Sequence, residues 1–181
     1  VTMLNPSIES ADFSPRPLVS LGEALSQFNP PQGFNLGGSE IVERTVRYGF
    51  RAAGFSFLIR EGVNSEVVPM MPCVVVPNTP NWLMGIMNLH GNLVPVCDLM
   101  QVSGDSKKAA SAGSMILVLG KGESVAGFII DGHPLAVVNP QQTNRIQGIP
   151  EWLAHAVASA FISNNEVWLE FDYESFLQKA G

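Results

Sequence analysis

A set of residues recurs along this chain at one fixed spacing. Trp82-Leu83 and Trp152-Leu153 lie 70 positions apart (152 − 82). Further matches at the same offset are Pro80 with Pro150, Gly62 with Gly132, Glu61 with Asp131, Ile59 with Ile129, and Val67-Val68 with Val137-Val138. Such self-similarity is the signature of a duplicated structural unit. The repeat therefore predicts two similar β lobes, each of which rolls short strands into a small barrel and so limits open sheet edges.

Patterns typical of β-strands dominate from residue 41 onward. The predicted strands cover residues 41–50, 55–60, 66–70, 73–76, 83–90, 93–99, 115–119, 125–130, 135–138, 157–162 and 167–171. Ala53-Gly54, Lys121-Gly122 and Asn164-Asn165 are the turn signals between neighbouring strands. Asp172 or Ser175 could cap a short C-terminal helix that ends at Lys179. The fold class is therefore mainly β.

Residues 1–40 differ in composition from the rest of the chain, because proline and glycine punctuate them. We predict a partly disordered N-terminal arm at 1–40 and a folded domain at 41–181. The arm contains one short helix, for which Ser20 and Glu23 form a capping box. Docking of this helix on its own domain is preferred over docking on a partner. Residues 103–114 are predicted to form an exposed, mobile loop.

The composition excludes several classes of partner. The chain has 181 residues, is 46% hydrophobic and carries a formal net charge of −6, and no basic run occurs in it. One globular domain, or two tightly joined lobes, fits this composition, whereas nucleic acid and anionic membrane do not. No stretch has the length and apolarity of a transmembrane helix, so direct membrane insertion is not expected. Cys73 and Cys97 are predicted to be buried thiols in a reducing cytoplasm.

Sequence signals for enzyme chemistry are scarce. The three histidines are scattered, without the clustered spacing that a metal site needs. The chain also lacks a Gly-x-Ser-x-Gly elbow and a glycine-rich phosphate loop. We therefore expect no catalytic residues, no metal and no cofactor, and interpret Asp98 as a cap at the end of a strand. A small β-barrel hydrolase with an unrecognised site remains the alternative, because the members of a catalytic triad can be distant in sequence.

A hairpin is predicted between residues 83 and 99. Gly91-Asn92 fits a two-residue loop of type II′, because glycine at its first position accepts a positive φ. This loop pairs Leu89 with Val94, Met87 with Val96, Asn88 with Pro95, His90 with Leu93, Ile86 with Cys97, and Gly85 with Asp98.

Period-two alternation then sorts the hairpin into two faces. The apolar face consists of Met87, Leu89, Val94 and Val96. The other face mixes apolar and polar side chains, namely Ile86, Asn88, His90, Leu93 and Pro95. Such a face is either a contact surface for a partner or the solvated side of the hairpin. The spacing alone leaves both interpretations open.

The hairpin sequence resembles the signature of the CheW family. The matching pattern is Gly-x-x-Asn-Leu-x-Gly-x-x-x-Pro-Val-x-Asp-Leu, formed by Gly85, Asn88, Leu89, Gly91, Pro95, Val96, Asp98 and Leu99. The preceding Val76-Pro77 and Pro80-x-Trp82-Leu83 are also similar to that family, and closest to its PilI-like branch. The resemblance covers about Tyr48 to Leu177. It implies two interleaved, SH3-like β-barrel subdomains that pack together.

The resemblance also implies a function. CheW-like proteins are non-enzymatic cytoplasmic adaptors that couple the tips of chemoreceptors to the regulatory domain of a CheA-type histidine kinase, in chemotaxis or in type IV pilus signalling. By motif, the implied receptor contacts are Asn88, His90 and Gly91; the mixed face adds Ile86 and Leu93. The family usually has arginine where this chain has His90. A purely structural assembly module is a further alternative.

Overall fold

The computed structural model describes residues 44–104, 113–144 and 148–180. The predicted arm at 1–40 with its helix, the start of the first predicted strand and most of the predicted loop at 103–114 lie outside these ranges. Within them, no helix is both long enough and apolar enough to span a membrane.

The described residues are mainly β. The strands are β1 (Val46–Ala52), β2 (Phe55–Ile59), β3 (Ser65–Pro69), β4 (Leu83–Leu89), β5 (Asn92–Cys97), β6 (Met115–Leu119), β7 (Ala126–Ile130), β8 (Leu135–Val138), β9 (Gln141–Thr143), β10 (Val157–Ser163) and β11 (Glu166–Phe171). The helices are α1 (Leu99–Val102), α2 (Glu151–Ala154) and α3 (Tyr173–Ala180), and Gly122–Ser124 form a 3-10 turn. The predicted C-terminal helix is confirmed, and the backbone N–H of Ser175 donates to the Asp172 carboxylate, which caps it.

The strands form two sheets that exchange elements between the two halves of the chain. The six-stranded sheet has the order β8-β1-β2-β11-β10-β9, and the five-stranded sheet has the order β3-β6-β7-β5-β4. Each sheet therefore combines strands from before and after residue 105. The orders also correspond: β8, β1, β2, β11 and β10 occupy the places of β3, β6, β7, β5 and β4. The two sheets, which we call the two units, are therefore alike, and the prediction of two similar β lobes is confirmed.

The pairing registers show which residues are counterparts. Gly49 pairs with Leu58 as Val118 pairs with Gly127, which fixes the offset between these strands at 69 (118 − 49 and 127 − 58). The same offset relates the pairing of Arg47 with Val137 to that of Ile116 with Val68 (116 − 47 and 137 − 68). The predicted offset of 70 is wrong by one for Ile59 and for Val67-Val68. It holds for Trp82 and Trp152, because both lie in the same local turn. The Leu83 N–H donates to the Pro80 carbonyl and the Leu153 N–H to the Pro150 carbonyl, each at 3.0 Å.

The second hairpin of each unit follows a different offset. Gly85 pairs with Val96, and Ser159 pairs with Glu170, 74 positions later (159 − 85 and 170 − 96). Both hairpins have a register shift at the same place, beside Gly85 and beside Ser159. The segment between Trp152 and its hairpin is therefore four residues longer than the segment after Trp82. A single gapless offset of 70 cannot match both the first three strands and the hairpins.

The core has three parts. A central cluster takes residues from both sheets and contains the rings of Phe50, Phe57, Phe128, Phe171 and Phe176. The ring centroids of Phe128 and Phe171 lie 5.1 Å apart in an edge-to-face arrangement, which adds about 0.5–1.5 kcal/mol beyond burial. Trp82 and Trp152 pack against this cluster. A second cluster belongs to the five-stranded sheet and a third, around Leu58, Val137 and Trp168, to the six-stranded sheet.

The third cluster borders a buried ion pair. Arg47 Nη2 lies 2.5 Å from Glu170 Oε1 and also donates to the Ile59 carbonyl at 3.0 Å. The guanidinium carbon lies 4.8 Å from the centre of the Phe161 ring. The counterparts of Arg47 and Glu170 are Ile116 and Val96, which are fully buried in the apolar second cluster. The two units therefore fill the same backbone positions with different chemistry.

Two local predictions differ from the structure. The predicted strand at 73–76 is reduced to one isolated bridge between Val74 and Ile86. Pro72 and Pro77 bracket this segment, and proline cannot donate to a strand ladder. Conversely, β9 is a strand that the sequence does not predict, because Gln141–Thr143 are polar and show no alternation.

Candidate partner-binding hairpin

The loop of the β4–β5 hairpin is His90-Gly91. Their φ angles are 51° and 84°, so both loop residues are left-handed, as a type I′ turn requires. The predicted type II′ loop at Gly91-Asn92 is therefore wrong by one residue. The Asn88 side-chain oxygen accepts a hydrogen bond from the Gly91 N–H at 2.9 Å, which stabilises the turn. The type I′ turn also matches the right-handed twist of the strands.

This shift changes the partners but not the faces. Met87 pairs with Val94, Asn88 with Leu93, and Ile86 with Pro95. Each residue of β5 has moved by two positions relative to β4, and because side chains alternate with a period of two, every side chain stays on its predicted face. The predicted apolar face is confirmed: Met87, Leu89, Val94 and Val96 are all buried.

The opposite face of the hairpin presents an apolar strip to solvent. We call Val74, Ile86, Leu93 and Pro95 the hairpin strip. Val74 bridges Ile86, which pairs with Pro95, so the three side chains form a row across the sheet. Leu93 continues the strip two residues along β5. Val74 and Leu93 are 74% and 70% exposed, which is unusual for two large aliphatic residues on one face.

Gly85 allows the Val74 segment to approach the hairpin. Its φ is 141°, and a Cβ built on it would lie 2.4 Å from the Val74 carbonyl oxygen. Any side chain at this position would therefore collide with backbone. The same approach lets the backbone groups of Val74 and Ile86 exchange hydrogen bonds of 2.8 and 2.9 Å. The motif glycine thus positions one end of the hairpin strip.

The polar residues of the mixed face have structural partners. Asn88 holds the turn, as described above. His90 Nε2 lies 2.9 Å from Glu66 Oε1 on β3, and both side chains are exposed. An exposed pair of this kind contributes about 0–1 kcal/mol. The structure therefore places His90 at the tip of the hairpin, beside β3, while Ile86 and Leu93 lie on the hairpin strip.

Asp98 has a capping role, as predicted. Its Oδ1 accepts a hydrogen bond from the Met100 N–H at 2.9 Å and caps α1. Its counterpart Asp172 caps α3 in the other unit (172 − 98 = 74). The Asp98 and Asp172 N–H groups donate to the Trp82 and Ala156 carbonyls, also 74 positions apart. Each hairpin thus ends at an aspartate whose N–H bonds the residue before the hairpin and whose carboxylate caps the following helix.

The ionisable groups near the hairpin are few. Burial raises the pKa of the Cys97 thiol to about 12. It also raises the pKa of Cys73, whose Sγ lies 3.6 Å from the Met71 carbonyl. Cys97 is buried as predicted, but Cys73 is only half-buried. Among residues 44–104, 113–144 and 148–180, no group of three or more histidine, cysteine or acidic residues has the geometry of a metal site.

A comparison with known families decides the affiliation of this fold. The family model described as the CheW-like domain matches residues 49–181. The chain belongs to the CheW-like domain family. The match contains every described strand except the first residues of β1, and it contains the whole β4–β5 hairpin.

Individual CheW-like proteins are more distant. A chemotaxis protein CheW from Helicobacter pylori is 33% identical over 89 residues, which are 49% of this chain and 53% of that protein. The protein PilI from Pseudomonas aeruginosa is 28% identical over 92 residues, 51% of this chain and 52% of PilI. The chain thus spans about half the length of the curated relatives that it matches.

A solved structure shares the fold. The scaffolding protein TtCheW from Thermoanaerobacter tengcongensis superposes with a TM-score of 0.55 at 22% sequence identity. The alignment covers 70% of this chain and 87% of that chain. The resemblance seen in the hairpin motif therefore extends to the arrangement of most of the described strands.

Proposed function

We propose that this CheW-like protein is a non-enzymatic adaptor that couples chemoreceptors to a CheA-type histidine kinase. The family match over residues 49–181 is the observation that carries the proposal. The names of the relatives support chemotaxis or pilus-linked signalling as the setting. Both partners would be met in the cytoplasm.

An adaptor of this kind makes and breaks no covalent bond. It holds receptor and kinase at one geometry and raises the effective concentration of each for the other. A change in the receptor then alters kinase activity only if the two bound states differ in contact energy. Two packed sheets around one shared aromatic cluster provide a rigid platform for such coupling.

We assign the receptor contact to the hairpin strip and the adjoining loop. Val74 and Leu93 supply exposed apolar area, and Ile86 lies between them in the sheet. Asn88 and Gly91 would act by shaping the loop, and His90 would present an imidazole at its tip. The regulatory domain of the kinase is the second partner.

A charge placed on the hairpin strip tests this assignment. Leu93→Glu should weaken capture of a chemoreceptor tip at least tenfold, because it puts a carboxylate in the apolar contact. Val167→Glu is the matched control, since Val167 is the counterpart of Leu93 (167 − 93 = 74) and is also exposed. Equal losses in the two variants, or no loss in either, would refute the assigned surface.

A kinase assay tests the adaptor function itself. The kinase, with receptor-containing membranes, is measured with and without this chain. We expect the chain to make kinase activity respond to receptor ligand, and to be pulled down by the regulatory domain of the kinase. Co-assembly without any change in activity would instead support a purely structural module. Absence of binding to both partners would reject the proposal.

His90→Arg should strengthen receptor binding. Arginine is the usual family residue at this position, and its guanidinium is always charged and offers a planar set of donors. Glu66 is 2.9 Å from His90 Nε2, so it could orient an arginine as well. Isothermal titration calorimetry with a receptor tip measures the effect; unchanged or weaker binding contradicts it.

A further inference from the structure

One face of the six-stranded sheet exposes apolar side chains at its edge. Val46 pairs with Val138 and Tyr48 pairs with Ala136, so these four side chains lie together on one face of β1 and β8. We call them the β1–β8 patch. Val46, Tyr48 and Val138 are 49%, 62% and 37% exposed. A contiguous exposed apolar patch of this kind is typical of a docking surface.

The counterpart of this patch in the five-stranded sheet is buried. By the offset of 69, Tyr48 and Ala136 correspond to Leu117 and Val67, which also pair with each other. Leu117 is fully buried in the central cluster, and Val67 packs against that cluster. Phe50, two residues after Tyr48 on the same face of β1, belongs to the central cluster as well. The patch therefore continues a face that is otherwise used for the core.

The element that packs on this face in the five-stranded sheet is a helix. Leu117 pairs with Phe128 on β7. The rings of Tyr173 and Phe176 on α3 lie with their centroids 6.4 and 5.9 Å from that of Phe128. α3 has 8 residues, whereas its counterpart α1 has 4. The internal comparison therefore indicates that a helix is the kind of element that fits the β1–β8 patch.

The sequence before the described residues contains an apolar segment that can supply such a helix. Its large apolar residues recur at intervals of three, four and three, and therefore share one side of the helix predicted there. They are Leu18, Leu21, Leu25 and Phe28. Sixteen positions separate Phe28 from Arg44, where the described chain begins (44 − 28), and an extended chain of that length spans up to about 50 Å. Val46, a member of the patch, follows two residues later.

We propose that residues 18–28 form a helix whose apolar side covers the β1–β8 patch of the same chain. Binding within one chain avoids most of the entropic cost of association, and a short linker gives an effective concentration in the millimolar range. A partner protein that uses this face must first displace the segment. The arm thus controls access to a docking face that is separate from the hairpin strip. The inference rests on the comparison of the two units and on the sequence of the arm, not on the adaptor function.

Amide exchange and chemical shifts of the ¹⁵N-labelled full chain, measured by NMR, test this contact from both sides. Tyr48→Asp places a carboxylate in the patch without changing the arm. It should speed exchange of the amides of residues 21–28 at least tenfold, because an isolated helix of this length is marginal in water. Leu21→Asp/Leu25→Asp makes the reciprocal change and should shift the amide signals of Val46 and Val138. These two variants alter exposed or arm residues, so the core stays intact.

Each variant has a matched control. Gln27→Asp places the same charge on the opposite side of the predicted helix. Val167→Asp places it at an exposed apolar position on β11. Both should give the exchange rates and patch signals of the wild type.

Three results would overturn the proposal. The first is unchanged exchange of residues 21–28 in Tyr48→Asp, or an equal change in the controls. The second is a shift of the hairpin strip instead of the patch when the apolar side of the arm is removed. The third is a spectrum of the wild type that changes on dilution, because this would indicate a second copy on the patch.

Discussion

Arg47 and Glu170 place opposite charges where the other unit is wholly apolar. Their side chains are only 6% and 16% exposed. Arg47→Ile introduces the residue found at the counterpart position, but it leaves the Glu170 carboxylate buried without its cation. Removing one member of a buried pair typically destabilises by about 3–5 kcal/mol. Because some water reaches Glu170, we expect a loss near the lower limit, about 3 kcal/mol.

The double variant Arg47→Ile/Glu170→Val should be more stable than either single variant. It copies Ile116 and Val96, and replacing a buried ion pair by apolar residues is often neutral or stabilising by about 1–4 kcal/mol. The Ile59 carbonyl loses its guanidinium donor, which costs about 1–3 kcal/mol if nothing replaces it. These effects nearly cancel, so the double variant should lie within about 2 kcal/mol of the wild type.

Urea unfolding followed by circular dichroism measures these differences, provided that the m-value stays constant. Arg47→Lys keeps the positive charge and gives a measurable intermediate case if Arg47→Ile does not fold. A double variant less stable than both single variants would refute the reasoning. So would a loss under about 1 kcal/mol for Arg47→Ile, which is the behaviour of an exposed pair.

Three further predictions concern residues of the β4–β5 hairpin. Gly85→Ala should lose about 1–3 kcal/mol in urea unfolding and weaken amide-exchange protection at Val74, because its Cβ meets the Val74 carbonyl; loss of stability without a change at Val74 contradicts this. His90→Val should lose about 1–2 kcal/mol, since a β-branched residue disfavours the left-handed loop, whereas His90→Asn should not. Burial raises the pKa of Cys97 from 9.0 to about 12 in the folded chain, so unfolding releases a proton above pH 9. Stability should therefore fall by about 1.4 kcal/mol per pH unit from pH 9 towards 12, and Cys97→Val should flatten the slope; an unchanged slope rules out this thiol as the cause.

The local features of the fold were predictable where one residue type decides the backbone. Ala53-Gly54 and Asn164-Asn165 are both turns with positive φ, as glycine and asparagine indicate. The β4–β5 loop was placed wrongly because Gly91 is compatible with either register, and a φ of 51°, as at His90, is uncommon for a residue other than glycine. The assignment of residues to the two faces stayed correct, because a shift of two residues in the pairing leaves every side chain on the same face.

The long-range features were not predictable from the same signals. Alternation indicates that β8 is a strand, but not that it pairs with β1 of the other half. Arg47 would be expected at the surface, since its partner Glu170 is 123 positions away. The position of Val74 on the exposed face of the hairpin was not predicted, because it depends on the close approach of its backbone to Gly85. Each of these features follows from pairing between distant segments, which no local pattern encodes.

The two units show which parts of a duplicated fold can change. Their hairpins keep the same register shift, and the Asp98 and Asp172 carboxylates both cap the following helix, although Asp98 accepts from the Met100 N–H and Asp172 from the Ser175 N–H. The side chains at the loop end differ between the units. The six-stranded sheet has Trp168 and the Arg51–Glu166 ion pair there, whereas the five-stranded sheet has valine, glycine and asparagine at the counterpart positions 94, 120 and 92. Three of the four residues of the hairpin strip, Ile86, Leu93 and Pro95, lie on β4 and β5. The proposed receptor contact is therefore in the sheet whose loop end lacks this aromatic and charged arrangement.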